Sequence, residues 1–283
     1  MRNIAVIDET FDINISSSYH LAIQVSSEGL CFAIMDTVRK KYIALKSLLF
    51  DDTLSLSKED QLARHLTRDN HLNRRYKTSG LIYTTPNSTL IPKPLFDPGR
   101  MEEMYSFSNQ LPKNNVILSN DIRGIDSKVV FSVPGQILDA LKDHPNEFKV
   151  YHQSCPEIEN AALATRSNPN GDYVLVRLYV DFFDIVVFRK GKFELFNSFS
   201  YQTEEDLIFY ILYAFEQLEF NTDKYKVILS GNVDENSALT DKLSQFIPGI
   251  SFEKFNKNFN YSYTFGQLSQ HRFTNLISLY LCV

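Results

Sequence analysis

The sequence predicts a duplicated α/β fold: two lobes, each opening with a three-stranded antiparallel meander followed by alternating helices and strands. Three observations carry this expectation. Short runs rich in β-branched and aromatic residues, joined by brief turns, occur in two sets of three. The sets repeat at a nearly constant offset, 153 residues from Leu21 to Val174 and 151 from Tyr42 to Phe193. Proline is uneven as well: none precedes Pro86, nine of the ten fall between Pro86 and Pro169, and only Pro248 follows. Central strands and long helices tolerate proline poorly, so the outer parts read as regular scaffold and the middle as shorter elements joined by turns.

In the first part, His20–Ser26 (HLAIQVS) is the first strand, and a turn at Ser27-Glu28-Gly29 leads to Leu30–Asp36 (LCFAIMD). A polar TVRKK turn follows, then Tyr42–Phe50 (YIALKSLLF). Ser57 is placed to cap a helix running to about Arg68, with Asp60 at the capping-box position. In the last part the strands are Tyr173–Tyr179, Asp184–Arg189 and Phe193–Tyr201, with turns near Asp181-Phe182-Phe183 and at Lys190-Gly191-Lys192. Thr203 caps the next helix, whose body from Leu207 to Leu218 is apolar nearly all round and is expected to be buried on both sides. A strand over Lys226–Ser230, a helix over Asn236–Phe246, a strand over Ile250–Phe255 and a closing helix over Gln267–Leu281 complete the reading.

Composition removes several function classes. The chain has 283 residues and 37 aromatics (22 Phe, 15 Tyr, no Trp), enough for a sizeable core. Its 29 Lys and Arg against 34 Asp and Glu give a net charge of −5, which argues against a general nucleic-acid coat. The closest two of its ten glycines, Gly124 and Gly135, are eleven apart, so no Walker A loop, GxGxxG fingerprint or GxSxG elbow can be written. Cys31, Cys155 and Cys282 have neither the number nor the spacing of a disulfide framework. The opening apolar stretch Ile4–Ile7 is too short for a secretion signal. The longest apolar run, the nine residues Leu207–Phe215, is about half of the roughly 20 needed to span a bilayer. A cytoplasmic protein without a membrane span is expected.

Three antiparallel strands, a helix, then alternating strand and helix, twice over, resembles the actin–sugar kinase–chaperone superfamily, in which two ribonuclease-H-like lobes flank a nucleotide cleft. Within it, TLIPKPLFD (Thr89–Asp97), YVDFFDIVVF (Tyr179–Phe188), VILSGN (Val227–Asn232) and QHRFTNLISLYLC (Gln270–Cys282) resemble a bacterial family with an actin-like ATPase fold and no assigned function. That family is akin to the soluble actin-like components of type IV pilus and type II secretion assemblies. The resemblance implies a first lobe over 1–166, with an inserted subdomain over about 81–166, and a second lobe over 167–283.

The resemblance also implies three binding turns. Nucleotide-binding members set a turn led by an Asp and rich in Gly and small hydroxyls against the phosphates. The matching stretch here, Gln24 to Gly29, offers Ser26 and Ser27 but no leading Asp. Glu28 adds a like charge, worth about 4 kcal/mol at about 4 Å near a protein surface. The second such turn maps onto Asp181-Phe182-Phe183-Asp184, where Asp181 could hold a metal through water but two rings replace glycines. The adenosine turn maps onto Ser230-Gly231-Asn232, with Asn232 able to take the left-handed conformation of a second glycine. Ser26, Ser27, Asp181, Ser230, Gly231 and Asn232 thus form a degenerate nucleotide cleft, able to hold Mg·ATP weakly at most, with no cofactor expected.

Other candidates read more plainly. His152 and Cys155 are half a zinc site without a second half, so a buried Cys beside a surface His is expected. His65 and His71 do not share a helix face. Asp181 and Asp184 read as solvated turn carboxylates. Phe209, Tyr210, Tyr213 and Phe215 read as core. The stretch Arg64, Arg68, Arg74, Arg75 and Lys77, with Tyr76 among them, reads as a solvated helix end and otherwise as a contact for RNA phosphates or an acidic protein face. The functional expectation is a non-catalytic actin-like scaffold that contacts a protein partner or a second copy of itself. The alternatives are a nucleotide-dependent ATPase or kinase of the same fold, and an RNA-associated accessory protein.

Overall fold

A computed structural model describes residues 4–166, 171–220 and 226–283. The boundary expected at 166/167 adjoins residues 167–170, outside the described residues. In chain order the strands and helices are β1 (Ile4–Ile7), β2 (Tyr19–Ser26), β3 (Gly29–Asp36), β4 (Lys41–Leu49), α1 (Lys58–Arg68), β5 (Thr78–Tyr83), β6 (Ser88–Pro92), α2 (Met101–Ser106), β7 (Asn115–Ile122), β8 (Ser127–Pro134), α3 (Gly135–Lys142), β9 (Lys149–His152) and α4 (Ser154–Arg166). There follow β10 (Tyr173–Leu178), β11 (Phe182–Arg189), β12 (Lys192–Ser200), α5 (Glu204–Gln217), β13 (Val227–Gly231), α6 (Ala238–Phe246), β14 (Ile250–Phe252), β15 (Asn260–Tyr261) and α7 (Thr274–Ser278).

The two main sheets share one topology. The first runs β1-β4-β3-β2-β5-β9 and the second β12-β11-β10-β13-β14, so β4-β3-β2-β5-β9 matches the whole of the second. In each, the meander is antiparallel and the last two strands add in parallel. The registers agree residue by residue. Gln24 pairs with Cys31 and Arg177 with Asp184, each partner seven residues on. The pairing of β3 with β4 slips between Ile34 and Met35, and that of β11 with β12 between Val187 and Phe188, 153 residues later. Both slips leave one bulged residue, Ile43 or Glu194, and a bulge at a fixed site sets the local twist in both lobes.

Strand residues alternate between two cores, as a sheet buried on both faces requires. Leu21, Ile23 and Val25 pack with Leu62 and Leu66 of α1 and Ile137 and Leu141 of α3 on the outer face of the first sheet. Val174, Val176 and Leu178 pack with Leu207 and Ile211 of α5 and Leu243 of α6 on the outer face of the second. Between the sheets a third core joins Ala22 and Ala33 to Leu175 and Val186 through Ile158 of α4 and Leu276 and Ile277 of α7. The chain between β5 and β9 adds a small antiparallel sheet, β6-β8-β7, covered by α2.

Three expectations fail here for physical reasons. The closing helix over Gln267–Leu281 is broken into 3₁₀ turns at Tyr263–Gln267, Gln270–Arg272 and Leu279–Leu281 around the five residues of α7. This segment threads between the sheets, and Tyr42 and Tyr151 donate hydroxyl hydrogen bonds of 2.5 and 3.0 Å to its carbonyls at Ile277 and Cys282. The strand over Ile250–Phe255 ends at Phe252 because Glu253 turns into the protein interior. Helix α5 keeps its Thr203 capping box but is not buried on both sides: Phe209 is 60% and Tyr213 46% exposed, stacked on each other at 6.0 Å. Only Tyr210 and Phe215 of that aromatic set contribute to the core.

Candidate functional site between the lobes

The hairpin tips of both meanders face one cavity of about 500 Å³. Ser26, Ser27 and Glu28 enter it from the first lobe, and Tyr179 to Phe182, Gly231 and Asn232 from the second, with Arg272 and Phe273 closing one side. Five of the six residues expected at a cleft therefore line it. Ser230 does not, because it is fully buried with its hydroxyl held by the His271 carbonyl (2.7 Å) and by Glu253 Oε2 (2.6 Å).

The turn at Gly231 is real, but its geometry differs from the expected one. Gly231 itself takes a φ of +81°, and a Cβ there would sit 2.1 Å from the Leu178 carbonyl oxygen. Asn232 is not left-handed; its backbone N–H donates to that same oxygen at 2.7 Å, and its side-chain oxygen accepts from Arg272 at 2.9 Å. Gly29 is needed for space: a Cβ would lie 2.2 Å from the Leu48 carbonyl oxygen.

Register corrects the reading of the second turn. Because Gln24 and Arg177 hold equivalent places, the leading position of the second lobe belongs to Arg177, four residues before Asp181, and not to Asp181. Asp181 is the equivalent of Glu28, at the exposed tip, and Phe182 of Gly29. Phe183 points away into the outer core, so only Phe182 crowds the cleft.

Arg177 is 2% exposed, on the cleft floor. Its Nε lies 2.8 Å from Glu157 Oε1 of α4, and one terminal nitrogen reaches Glu253 Oε2 at 2.6 Å and Thr274 Oγ1 of α7 at 3.0 Å. Tyr179 donates to Glu157 at 2.6 Å, and Asn160 to Glu253 at 2.9 Å. The guanidinium stays charged because Glu253 and Glu157 outweigh the burial that works against it. Asp184, expected as a solvated carboxylate, is instead fully buried beside this cluster, accepting from Ser198 Oγ at 2.5 Å and Gln153 Nε2 at 3.2 Å. Burial pushes its carboxyl up to about 7, although both hydrogen bonds oppose the rise. Burial and then the Asp184 charge hold Glu157 well above the usual carboxylate range, against the pull of Arg177. Among the described residues Glu157 Oε2 accepts no hydrogen bond, and burial favours the protonated form of both acids.

The remaining candidates fall elsewhere. His152 is not at the surface: it is fully buried, with Nδ1 2.8 Å from Ser154 Oγ and Nε2 3.0 Å from the Thr85 carbonyl, and burial pushes it down to about 3. Cys155 is buried as expected. Among the described residues no three His, Cys, Asp or Glu are arranged to hold a metal ion. Arg64, Arg68, Arg74, Arg75 and Lys77 are all exposed, whereas Tyr76 is buried and its hydroxyl donates to the His71 carbonyl at 2.6 Å. Among the described residues no helix is long and apolar enough to cross a membrane. Arg177 carries a signal in the sequence, a charge set within the apolar run VLVRLY, whereas Glu253, beside Lys254 in ISFEKF, carries none.

Two sheets that share one five-strand order, around a cleft bounded by two hairpin tips and a glycine turn, define an actin-like ATPase fold. The chain belongs to the family described as "Protein of unknown function (DUF3822)", which it matches over residues 8–250. Among solved structures it is similar to a Bacteroides thetaiotaomicron protein with actin-like ATPase fold and unknown function, at 25% identity and TM-score 0.80, covering 97% of this chain and 100% of that one. It is similar in fold to a chain of the PilM-PilN type IV pilus biogenesis complex (10% identity, TM-score 0.65, 93% and 97% covered). It is likewise similar to the ethanolamine utilization protein EutJ of Carboxydothermus hydrogenoformans (10%, TM-score 0.53, 98% and 93%). No curated protein matches it in sequence.

Proposed function

We propose that this chain is a non-catalytic actin-like scaffold that works by contacting another protein. The observation that carries the reading is Arg177. At the place where nucleotide-binding members of the fold are expected to lead the turn with an acid, the second lobe has a buried guanidinium and the first has Gln24. Phosphoryl transfer depends on backbone N–H groups near the phosphates and on a held Mg²⁺, so a floor without a carboxylate at either leading position has little to offer it. The acids that do reach the cleft, Glu28, Asp181 and Asp234, repel phosphate, and Arg272 is already engaged by Asp234 at 2.8 Å. Arg177 also ties α4, β10, α7 and the residue after β14 together, which opposes the lobe movement a nucleotide cycle needs. A protein partner is the role in keeping with the PilM-PilN complex, whose fold this chain shares.

The test is purified protein with millimolar Mg·ATP, followed by phosphate release and thermal shift. Release at background, equal in wild type and Asp181→Ala, is expected. Turnover that disappears in Asp181→Ala would overturn the scaffold reading in favour of an ATPase.

A further inference from the structure

A second concavity of about 490 Å³ lies on the far side of the first lobe from the cleft, at the ends of β5 and β9, and it is lined by four cations. Arg75 and Lys77 come from the segment before β5, Arg123 from the turn after β7, and Lys149 from the start of β9. None of the four forms an ion pair among the described residues. Glu147 is the one acidic side chain in the lining, against four cations. In a chain of net charge −5, four unpaired cations brought together from three separate stretches form a local field opposite to that of the whole.

The groove is also built, in that hydrogen bonds fix its rim. Buried Asn146 accepts from the Tyr76 N–H at 2.7 Å and donates to the Arg74 carbonyl at 2.6 Å, locking two of the three chain segments that carry the cations. Ser79 donates to the Glu147 carbonyl at 3.2 Å, and Lys149 is held over the Tyr151 ring at 4.9 Å. We propose that this groove binds a small ligand carrying two or more phosphate groups. Its volume is that of a small-molecule site, and planar guanidinium forks match phosphate oxygens. An extended strand of RNA fits less well, because Arg64, Arg68 and Arg74 lie outside the lining.

The probe is inorganic tripolyphosphate, titrated calorimetrically into the full chain at physiological salt. One saturable site is expected, weakened at least about tenfold in the Arg123→Glu/Lys149→Glu double variant and unchanged in Arg64→Glu/Arg68→Glu, whose residues are equally exposed. Should the double variant fail to fold by circular dichroism, Arg75→Ala gives a second reading, with a few-fold loss expected. Absence of saturable binding, binding unchanged in the groove variants, or equal weakening by Arg64→Glu/Arg68→Glu would each overturn the proposal. So would an oligouridylate that binds through these residues where tripolyphosphate does not.

Discussion

The two hairpins that face the cleft have one backbone and opposite chemistry. In the first, the leading residue is the neutral Gln24, the tip is Ser27-Glu28, and the return strand starts at Gly29. In the second, the same three places hold Arg177, Val180-Asp181 and Phe182. Both tips are secured by the same backbone bond, from the Phe50 N–H to the Glu28 carbonyl at 2.9 Å in the first and from the Tyr201 N–H to the Asp181 carbonyl at 3.0 Å in the second. The second adds a buried charge network that reaches into α4 and α7. Pairing register is a property of the whole sheet and is the same in both halves, because a one-residue slip would turn every side chain to the other face. Side chains on the cleft floor carry no such constraint, and there the two halves differ.

The largest expected difference lies at the leading residues. Arg177→Met leaves Glu157 and Glu253 buried without a cation and should cost about 3–5 kcal/mol in urea denaturation. Gln24→Ala, at the equivalent place, should cost less than about 1 kcal/mol. Equal losses would mean that the second hairpin is not anchored by charge.

Next comes the retained proton. Burial raises the Asp184 carboxyl from its ordinary 3.8 to about 7, so the folded chain holds a proton that the unfolded chain releases within that window. Its contribution to stability is therefore greatest at low pH, declines as pH rises from about 4 to about 7, and levels off above. Asp184→Asn cannot lose that proton. Relative to wild type its melting temperature should rise between pH 5 and pH 7, by the equivalent of about 1 kcal/mol per pH unit. Taking the difference cancels the opposite trend from His20 and His152, which burial pushes down to about 4 and about 3. A difference that does not change with pH would remove the proton from the network.

The smallest effect sharpens the comparison at the strands beside the hairpins. Gly231 and Tyr83 are equivalent, paired with Leu178 and Val25, yet only the former is left-handed. Gly231→Ala should cost about 1–2 kcal/mol, read by thermal denaturation, because the new Cβ meets the Leu178 carbonyl. Tolerance of alanine would show that the turn can relax as its counterpart after Tyr83 has.

The sequence by itself determined the repeat. Alternation, turn residues and the 151–153 offset are local, and the sheets, α1, α5 and α6 stand within a few residues of where those patterns place them. Even the two-residue change in offset was present, since it reflects a shorter connection between the second and third strands of the second meander. Local pattern misled where packing set the environment. Asp184 sits next to a turn and looks solvated, His152 lies near a surface-like segment, and Phe209 sits in an apolar run; the fold buries the first two and exposes the third. Likewise, Arg177, Glu157 and Glu253 are 20 and 76 residues apart along the chain, so nothing in the sequence marks them as one network. Only tertiary structure decides such groups, because a buried charge is tolerable only where its partners converge, and convergence belongs to the folded chain rather than to neighbours along it.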